Sequence, residues 1–311
     1  MAAGRMQILL FGANGQVGHE LARSLPPLGT LVALDRSQAD LEDPASIAAA
    51  ISRHRPDIVI NAAAYTAVDR AESEPEKARQ INALAPAAMA VEMARLGGLL
   101  VHYSTDYVFD GTKPGPYLET DPTNPVSVYG ATKLEGERLV AASGCRHLIF
   151  RTSWVYADRG HNFLKTILRL ARERESLTIV ADQTGVPTSA ALLARVTAEA
   201  LVRCSGPKSA RPESGIYHLC PAGLTSWHDY ARFIVAEAIA AGAPLRATVE
   251  SVLPIPSSAY PTPARRPANS QLDTSKLRRA LGCPLPPWED DVRVALRAIL
   301  SSSPSEEPAS R

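Results

Sequence analysis

Short runs of apolar residues punctuate the first half of the chain at intervals. MQILLF (6 to 11) is followed by TLVALD (30 to 35), DIVINAA (57 to 63), LLVHYS (99 to 104) and LIFRTSW (148 to 154). Runs of this length without polar alternation suit strands buried on both faces, as in a parallel sheet. Between them, residues 15 to 25, 44 to 54, 75 to 95 and 129 to 143 carry helix-like patterns. This alternation predicts an α/β fold of the Rossmann-like, doubly wound kind.

The rhythm changes after Trp154. Helical stretches at about 162 to 175, 189 to 203 and 226 to 241 are interrupted by isolated β-like pieces, LTIVA and GIYHL, and by the proline-rich passage PIPSSAYPTPARRP. The expected division is a dinucleotide-binding domain over 1–154 and a smaller mixed α/β lobe, mainly for substrate, over 155–300. That lobe is expected to stand apart from the sheet. SSSPSEEPASR at 301–311 has little to bury and is expected to be a loose tail.

Composition and charge remove several classes of function. With 311 residues, 45% of them hydrophobic, the chain can bury a large core. Lys plus Arg number 33 against 32 for Asp plus Glu, so there is no cationic surplus for nucleic acid or an anionic membrane. The apolar runs fall short of the roughly 20 residues that cross a bilayer. The first residues do not read as a secretion signal, and a cytoplasmic protein is expected. The four cysteines, Cys145, Cys204, Cys220 and Cys283, are far apart and read as reduced core thiols. The seven scattered histidines give no metal pattern.

Chemistry enters at GANGQVG, Gly12 to Gly18, between the first strand and the first helix. Its glycines allow a sharp turn, close approach of backbone N–H groups to a pyrophosphate, and tight helix–strand packing; Asn14, Gln16 and Val17 lie among them. Asp35, at the end of the second strand, is placed for an adenosine ribose, which favours NADH. Arg36 beside it offers a partner to the extra phosphate of NADPH, so either nucleotide fits this pair. Asp40 and Leu41 would flank the adenine. Ala63, Ala64, Tyr65 and Thr66, after the third strand, would pass beneath the cofactor.

Tyr129 and Lys133 stand one helical turn apart in YGATK, and Thr105 leaves the fourth strand at its carboxyl end. Reduction of a ketone leaves charge on oxygen, which needs a proton donor and a group to hold it. A phenol with a pKa of about 10 is a reluctant acid. A lysine charge about 4 Å away, at an effective dielectric near 20, favours phenolate by about 4 kcal/mol, or roughly three pKa units. The expectation is that Lys133 brings Tyr129 near working pH.

These motifs resemble the extended short-chain dehydrogenase/reductases. GANGQVG, NAAAYTAVDRAESEP, HYSTDYVFDG, YGATKLEGE, RTSWVY and YPTPARRPANSQL together are similar to the dTDP-4-dehydrorhamnose reductase family, from Met6 to about Leu300. The resemblance implies NAD(P)H-dependent reduction of dTDP-4-dehydro-L-rhamnose at C4. By it Tyr129 is the proton donor, Lys133 tunes the phenol and holds the nicotinamide ribose, and Thr105 hydrogen-bonds the carbonyl. Tyr103 would lie against the cofactor. Asp106 and Trp154 would contact the sugar nucleotide, and Arg266, Asn269 and Ser270 would grip its diphosphate and thymidine end; a salt-bridged loop is the competing reading for Arg266. Some members of the family are described as dimers bridged by magnesium at interface glutamates. Here Glu20 matches one such position, but Ala191 and Ala298 stand where other acids would be, which puts magnesium in doubt and favours a monomer or weak homodimer. A dehydratase is disfavoured because no Glu follows Thr105 and Asp106. An epimerase and a non-catalytic regulatory subunit remain as alternatives.

Overall fold

The computed structural model describes residues 5–207 and 211–302. Its centre is a six-stranded, all-parallel sheet. β1 (Met6–Phe11) pairs with β2 (Gly29–Leu34) on one side and β3 (Ile58–Asn61) on the other; β4 (Leu99–Thr105) and β5 (Arg146–Thr152) continue outward. The order reverses at the β1–β3 junction, and the carboxyl ends there form the crevice where doubly wound sheets hold ligands. The apolar runs become strands because both faces are covered: Ile8, Leu10 and Val101 pack on one side, Leu9, Val59 and Leu100 on the other.

Helix α1 (Gln16–Ser24) starts directly from the glycine loop, and α2 (Pro44–His54) is capped by the Asp43 carboxylate, which accepts from Ala45 N. The stretch expected as one helix over 75–95 is broken. α3 (Val68–Ala71) precedes it, and α4 (Pro75–Arg79) passes through a π-turn, Gln80–Leu84, into α5 (Ala85–Leu96). Pro86 has no N–H to continue the regular ladder back to the Asn82 carbonyl. That carbonyl instead faces Gly136, where an added Cβ would lie 2.2 Å from it. Gly136 belongs to α6 (Val128–Ala142), whose first turn is capped by Ser127 Oγ accepting from Gly130 N.

The second region differs from the expectation in one respect. Its strand Gly215–His218 adds to the main sheet, parallel to β5. Helices Ala190–Ser205 and Ser275–Leu281 share the apolar layer of α1 and β1, through Leu193, Leu201 and Leu277 with Leu10 and Leu21. The residues after 154 therefore continue the sheet as well as building a separate layer. That layer contains helices Phe163–Glu173, Trp227–Ala240 and Trp288–Ser302 and the paired strands Leu177–Val180 and Val252–Ile255, around Tyr156, Tyr230, Val235 and Trp288. Residues 301 and 302 end the last helix, and the rest of the expected tail lies outside the described residues. All four cysteines are free and buried. Among the described residues no helix is long and apolar enough to cross a membrane.

Candidate functional site

The glycine loop is built for close approach. Gly12 has φ +83°, and an added Cβ would sit 2.8 Å from Ala63; one on Gly18 would sit 2.0 Å from the Gly12 carbonyl oxygen. Side chains at either position would push the loop away from β3 and α1. Gln16 accepts from Asn162 Nδ2 at 2.8 Å, tying α1 to the second region, and Val17 packs toward the α1 layer. Asp35 accepts from Ser37 N and Oγ and lies 3.4 Å from Asn14 Nδ2. Those hydrogen bonds, Ser37 foremost, hold its carboxyl below the usual range. The Arg36 guanidinium is engaged by Glu42 and, at 3.5 Å, by Asp40. Leu41 is buried.

After β3, Tyr65 is held by Asn82, whose amide accepts from Tyr65 N at 2.8 Å and donates to Tyr65 O at 3.1 Å. Ala63 and Ala64 are half-buried and Thr66 is exposed. The Tyr65 hydroxyl donates to Glu74 at 2.6 Å, which raises its pKa. Asn82 also donates to Thr132 Oγ1 at 3.3 Å, so the buried π-turn joins this loop to the helix carrying Tyr129.

At the end of β4, Thr105 Oγ1 accepts from Tyr107 N and donates to Asp106 Oδ1 at 3.0 Å. Tyr129 lies near Thr105, whose hydroxyl favours the phenolate, and edge-on to Tyr107, centroids 5.7 Å apart. Thr105, Asp106 and Tyr129 thus converge, with the Ser270 hydroxyl near enough to Asp106 to favour its charged form. Burial raises the Asp106 carboxyl to about 6, and its Oδ2 is buried without a hydrogen-bond partner.

The electrostatic expectation for the phenol is corrected here. Burial pushes Tyr129 up to about 12, the Asp106 charge adds to this, and the Thr105 hydrogen bond opposes it. The Lys133 amine is held at β4 instead. Its ammonium, 2% exposed, donates to Tyr103 O at 2.6 Å and faces His102 Nε2 at 3.3 Å; burial lowers its pKa to about 8, with Glu137 opposing. Helical spacing puts Tyr129 and Lys133 on one face, but four methylenes carry the amine toward β4.

Several expected cofactor and substrate contacts have other partners. Tyr103 bonds Thr197 through its hydroxyl at 2.6 Å and packs beside Phe150. Arg266 donates to Asp69 at 2.8 Å, so in this conformation the salt-bridged reading describes it. Asn269 donates to the Lys113 and Gly115 carbonyls at 2.8 and 2.7 Å, closing a loop rather than facing a ligand. Trp154, at φ +47°, stacks on Trp227 with centroids 3.6 Å apart. Glu20 pairs with Arg23 at 3.8 Å. No group of three or more His, Cys, Asp or Glu is arranged to hold a metal among the described residues.

Beside Arg266 lies a cavity of about 490 Å³, lined by Phe163, Ile179, Gln183, Trp227 and Tyr260. Sequence reasoning missed this wall, as it missed Asn82, His102, Tyr107 and Asp69. Tyr107 and Asp69 sit inside strings already singled out, STDYVF and DRAESEP, whereas nothing local marks Trp227 or Asn82.

Residues 6–301 match the family model described as RmlD substrate binding domain. The dTDP-4-dehydrorhamnose reductase of Burkholderia thailandensis is 54% identical, covering 95% of this chain and 100% of its own; that of Salmonella typhimurium is 49% identical, covering 96% and 99%. Among solved structures, a dTDP-4-dehydrorhamnose reductase from Clostridium acetobutylicum superposes with TM-score 0.86 at 34% identity, covering 95% and 100%. One from Bacillus anthracis, solved with NADP, gives 0.84 at 33% identity, covering 96% and 100%. The chain belongs to the RmlD substrate-binding-domain family, that of the dTDP-4-dehydrorhamnose reductases.

Proposed function

We propose that the protein reduces dTDP-4-dehydro-L-rhamnose to dTDP-L-rhamnose with NADPH or NADH. The observation that carries this reading is the convergence of Tyr129, Thr105 and Asp106 at the carboxyl end of β4, in a chain 54% identical to a reductase of that name. Gly12 and Gly18 leave a cradle that a side chain would fill, which fits a dinucleotide; Gly15, Asn14, Asp35 and the Ala63–Thr66 segment border it. When bound, the nicotinamide supplies hydride to the carbonyl carbon.

The residues of this chain do the rest. Thr105 holds the carbonyl oxygen by turning its one hydroxyl proton from Asp106 toward it, and Tyr129 gives that oxygen its proton. A phenol lifted to about 12 stays protonated at neutral pH, so the donor is loaded, and it gives up its proton to the more basic alkoxide that hydride transfer creates beside it. Asp106 and Ser270 border the sugar, and Trp154, fixed by its stack on Trp227, offers an apolar wall. The cavity beside Arg266 has the apolar lining and nearby cation that suit a thymidine diphosphate. Arg266 reaches a phosphate by exchanging Asp69 for it.

An epimerase would use the same Tyr129 and Lys133, but the reductases 54% and 49% identical to this chain support reduction over the epimerase and binding-only alternatives. Cytoplasmic location and a monomer or weak homodimer are part of the same proposal. The test is direct: purified protein given either reduced nucleotide and the 4-keto sugar nucleotide should lose nicotinamide absorbance in step with dTDP-L-rhamnose formed. Nucleotide binding without oxidation would refute it.

A further inference from the structure

Thr105 has one hydroxyl proton and two claimants for it. In the structure its oxygen accepts from Tyr107 N at 3.1 Å while the hydroxyl donates to Asp106 Oδ1 at 3.0 Å. A carbonyl oxygen only accepts, so holding a ketone turns that proton away from Asp106. Were Asp106 to stay a carboxylate, its Oδ1 would then face a lone pair of Thr105, with Oδ2 already buried and without a hydrogen-bond partner. A charge left unmatched on a residue 3% exposed is costly. The neutral acid removes the conflict. Its O–H donates to Thr105 Oγ1, which accepts with one lone pair from Asp106 and with the other from Tyr107 N, and its own proton is free for the carbonyl.

We propose that Asp106 is a positioning residue, present in the ketone complex as a neutral carboxylic acid that donates to Thr105 Oγ1 and so aims the Thr105 proton at the carbonyl. The inference rests on the reading of Thr105 as the group that holds the carbonyl. Asp106 takes its proton from solvent as the ketone binds and keeps it, while Tyr129 supplies the one that goes to the product. Two further observations agree. Burial already raises the Asp106 carboxyl to about 6, and the bond from Thr105 is among the interactions that hold it down, so reversing that bond raises it further. The Asp106 charge also opposes ionisation of Tyr129, so neutralising it eases the phenol's proton transfer. The groups facing the carboxyl are Tyr107 on its own turn, Tyr129 from α6, Ser270 from the proline-rich passage and Cys220 just beyond Gly215–His218; none of these is a cation. Arg266 lies beyond Tyr107, paired with Asp69.

Proton uptake reads the step without hydride transfer. The 4-keto sugar nucleotide is titrated calorimetrically into the protein holding oxidised NADP at pH 7, in two buffers of different ionisation enthalpy. A carboxyl at about 6 is mostly ionised at that pH, so the wild type should take up most of one proton per complex and Asp106→Asn none. The competent form is the acid, so kcat/KM of the wild type should fall roughly tenfold per pH unit above about 6. Asp106→Asn, whose amide donates to Thr105 at every pH, should lose that limb and keep the fall above about 8, where Lys133 gives up its proton. Binding without uptake would overturn the proposal. So would uptake, or the lower limb, that persists in a folded Asp106→Asn protein. If the variant does not fold, uptake by the wild type decides alone. Reduction with no proton taken up removes this inference alone, whereas a sugar nucleotide that is not reduced removes the reductase reading and this inference with it.

Discussion

Glu137→Gln tests how much the buried ion pair between α6 and β5 contributes. Arg151 donates to Glu137 through Nε at 2.9 Å and Nη2 at 2.6 Å, and the two side chains are 3% and 2% exposed. The guanidinium also lies over the Phe109 ring at 5.1 Å, and its Nη1 has no hydrogen-bond partner. Removing the carboxylate charge leaves a buried cation with only neutral neighbours to compensate it, a loss of about 3 to 5 kcal/mol. For a domain of this size that lowers the thermal midpoint by on the order of 10 °C. The assay is thermal and urea unfolding of the wild type, Glu137→Gln, Arg151→Met and the pair Glu137→Leu with Arg151→Met. The double variant should recover much of the loss, since an apolar pair of similar volume leaves no orphan charge. A single variant destabilised by less than about 1 kcal/mol, as at an exposed pair, would refute the reasoning. So would costs that simply add.

Asp106→Asn should change the pH dependence of stability. Its carboxyl is raised from 3.8 to about 6 in the fold, so the folded state holds the proton more tightly than the unfolded state. The stability this gives is complete below pH 3.8 and is lost as pH rises through about 6, a difference of about 3 kcal/mol. The variant lacks this loss, so denaturation midpoints should shift in its favour between those pH values and run parallel above; parallel curves throughout would count against it. Asp35→Ala should raise the ratio of specificity constants for NADPH over NADH, and an unmoved ratio would show that the acid is not at the ribose. Gly185→Ala places a Cβ 2.6 Å from the Trp154 indole. It should raise KM for the sugar nucleotide and leave that for the reduced nucleotide unchanged, and the opposite pattern would remove Trp154 from the substrate wall.

The five strands of the first half were legible because burial on both faces leaves an unbroken apolar signal, and the glycine loop because only glycine tolerates contacts as short as those of Gly18. The Gly215–His218 strand was not placed. Four residues carry little periodicity, and its partner β5 is some sixty residues earlier, so the pairing is a tertiary fact. The π-turn was hidden for a related reason. Pro86 marks a break, but only the close approach of Gly136 shows what the freed Asn82 carbonyl does. At the site, the position of Thr105 followed from a strand end and that of Tyr129 from helix spacing, whereas Asp106 was marked only by the family resemblance. The direction of Lys133 was not, since i and i+4 spacing places a Cα and leaves a long side chain free to reach His102. Arg266 and Asn269 were read as ligand contacts from residue type; their partners Asp69, Lys113 and Gly115 lie more than 150 positions away in the chain.

The central claim is that the Tyr129 phenol hands its proton to a carbonyl held by Thr105. Tyr129→Phe removes that proton and little else, because the ring edge against Tyr107 is retained. Single-turnover reduction of the 4-keto sugar nucleotide, measured with nucleotide affinity in the same sample, should show unchanged binding and a rate lowered by roughly 10²-fold or more. A Tyr129→Phe protein that binds nucleotide normally and reduces the sugar at the wild-type rate would contradict the account.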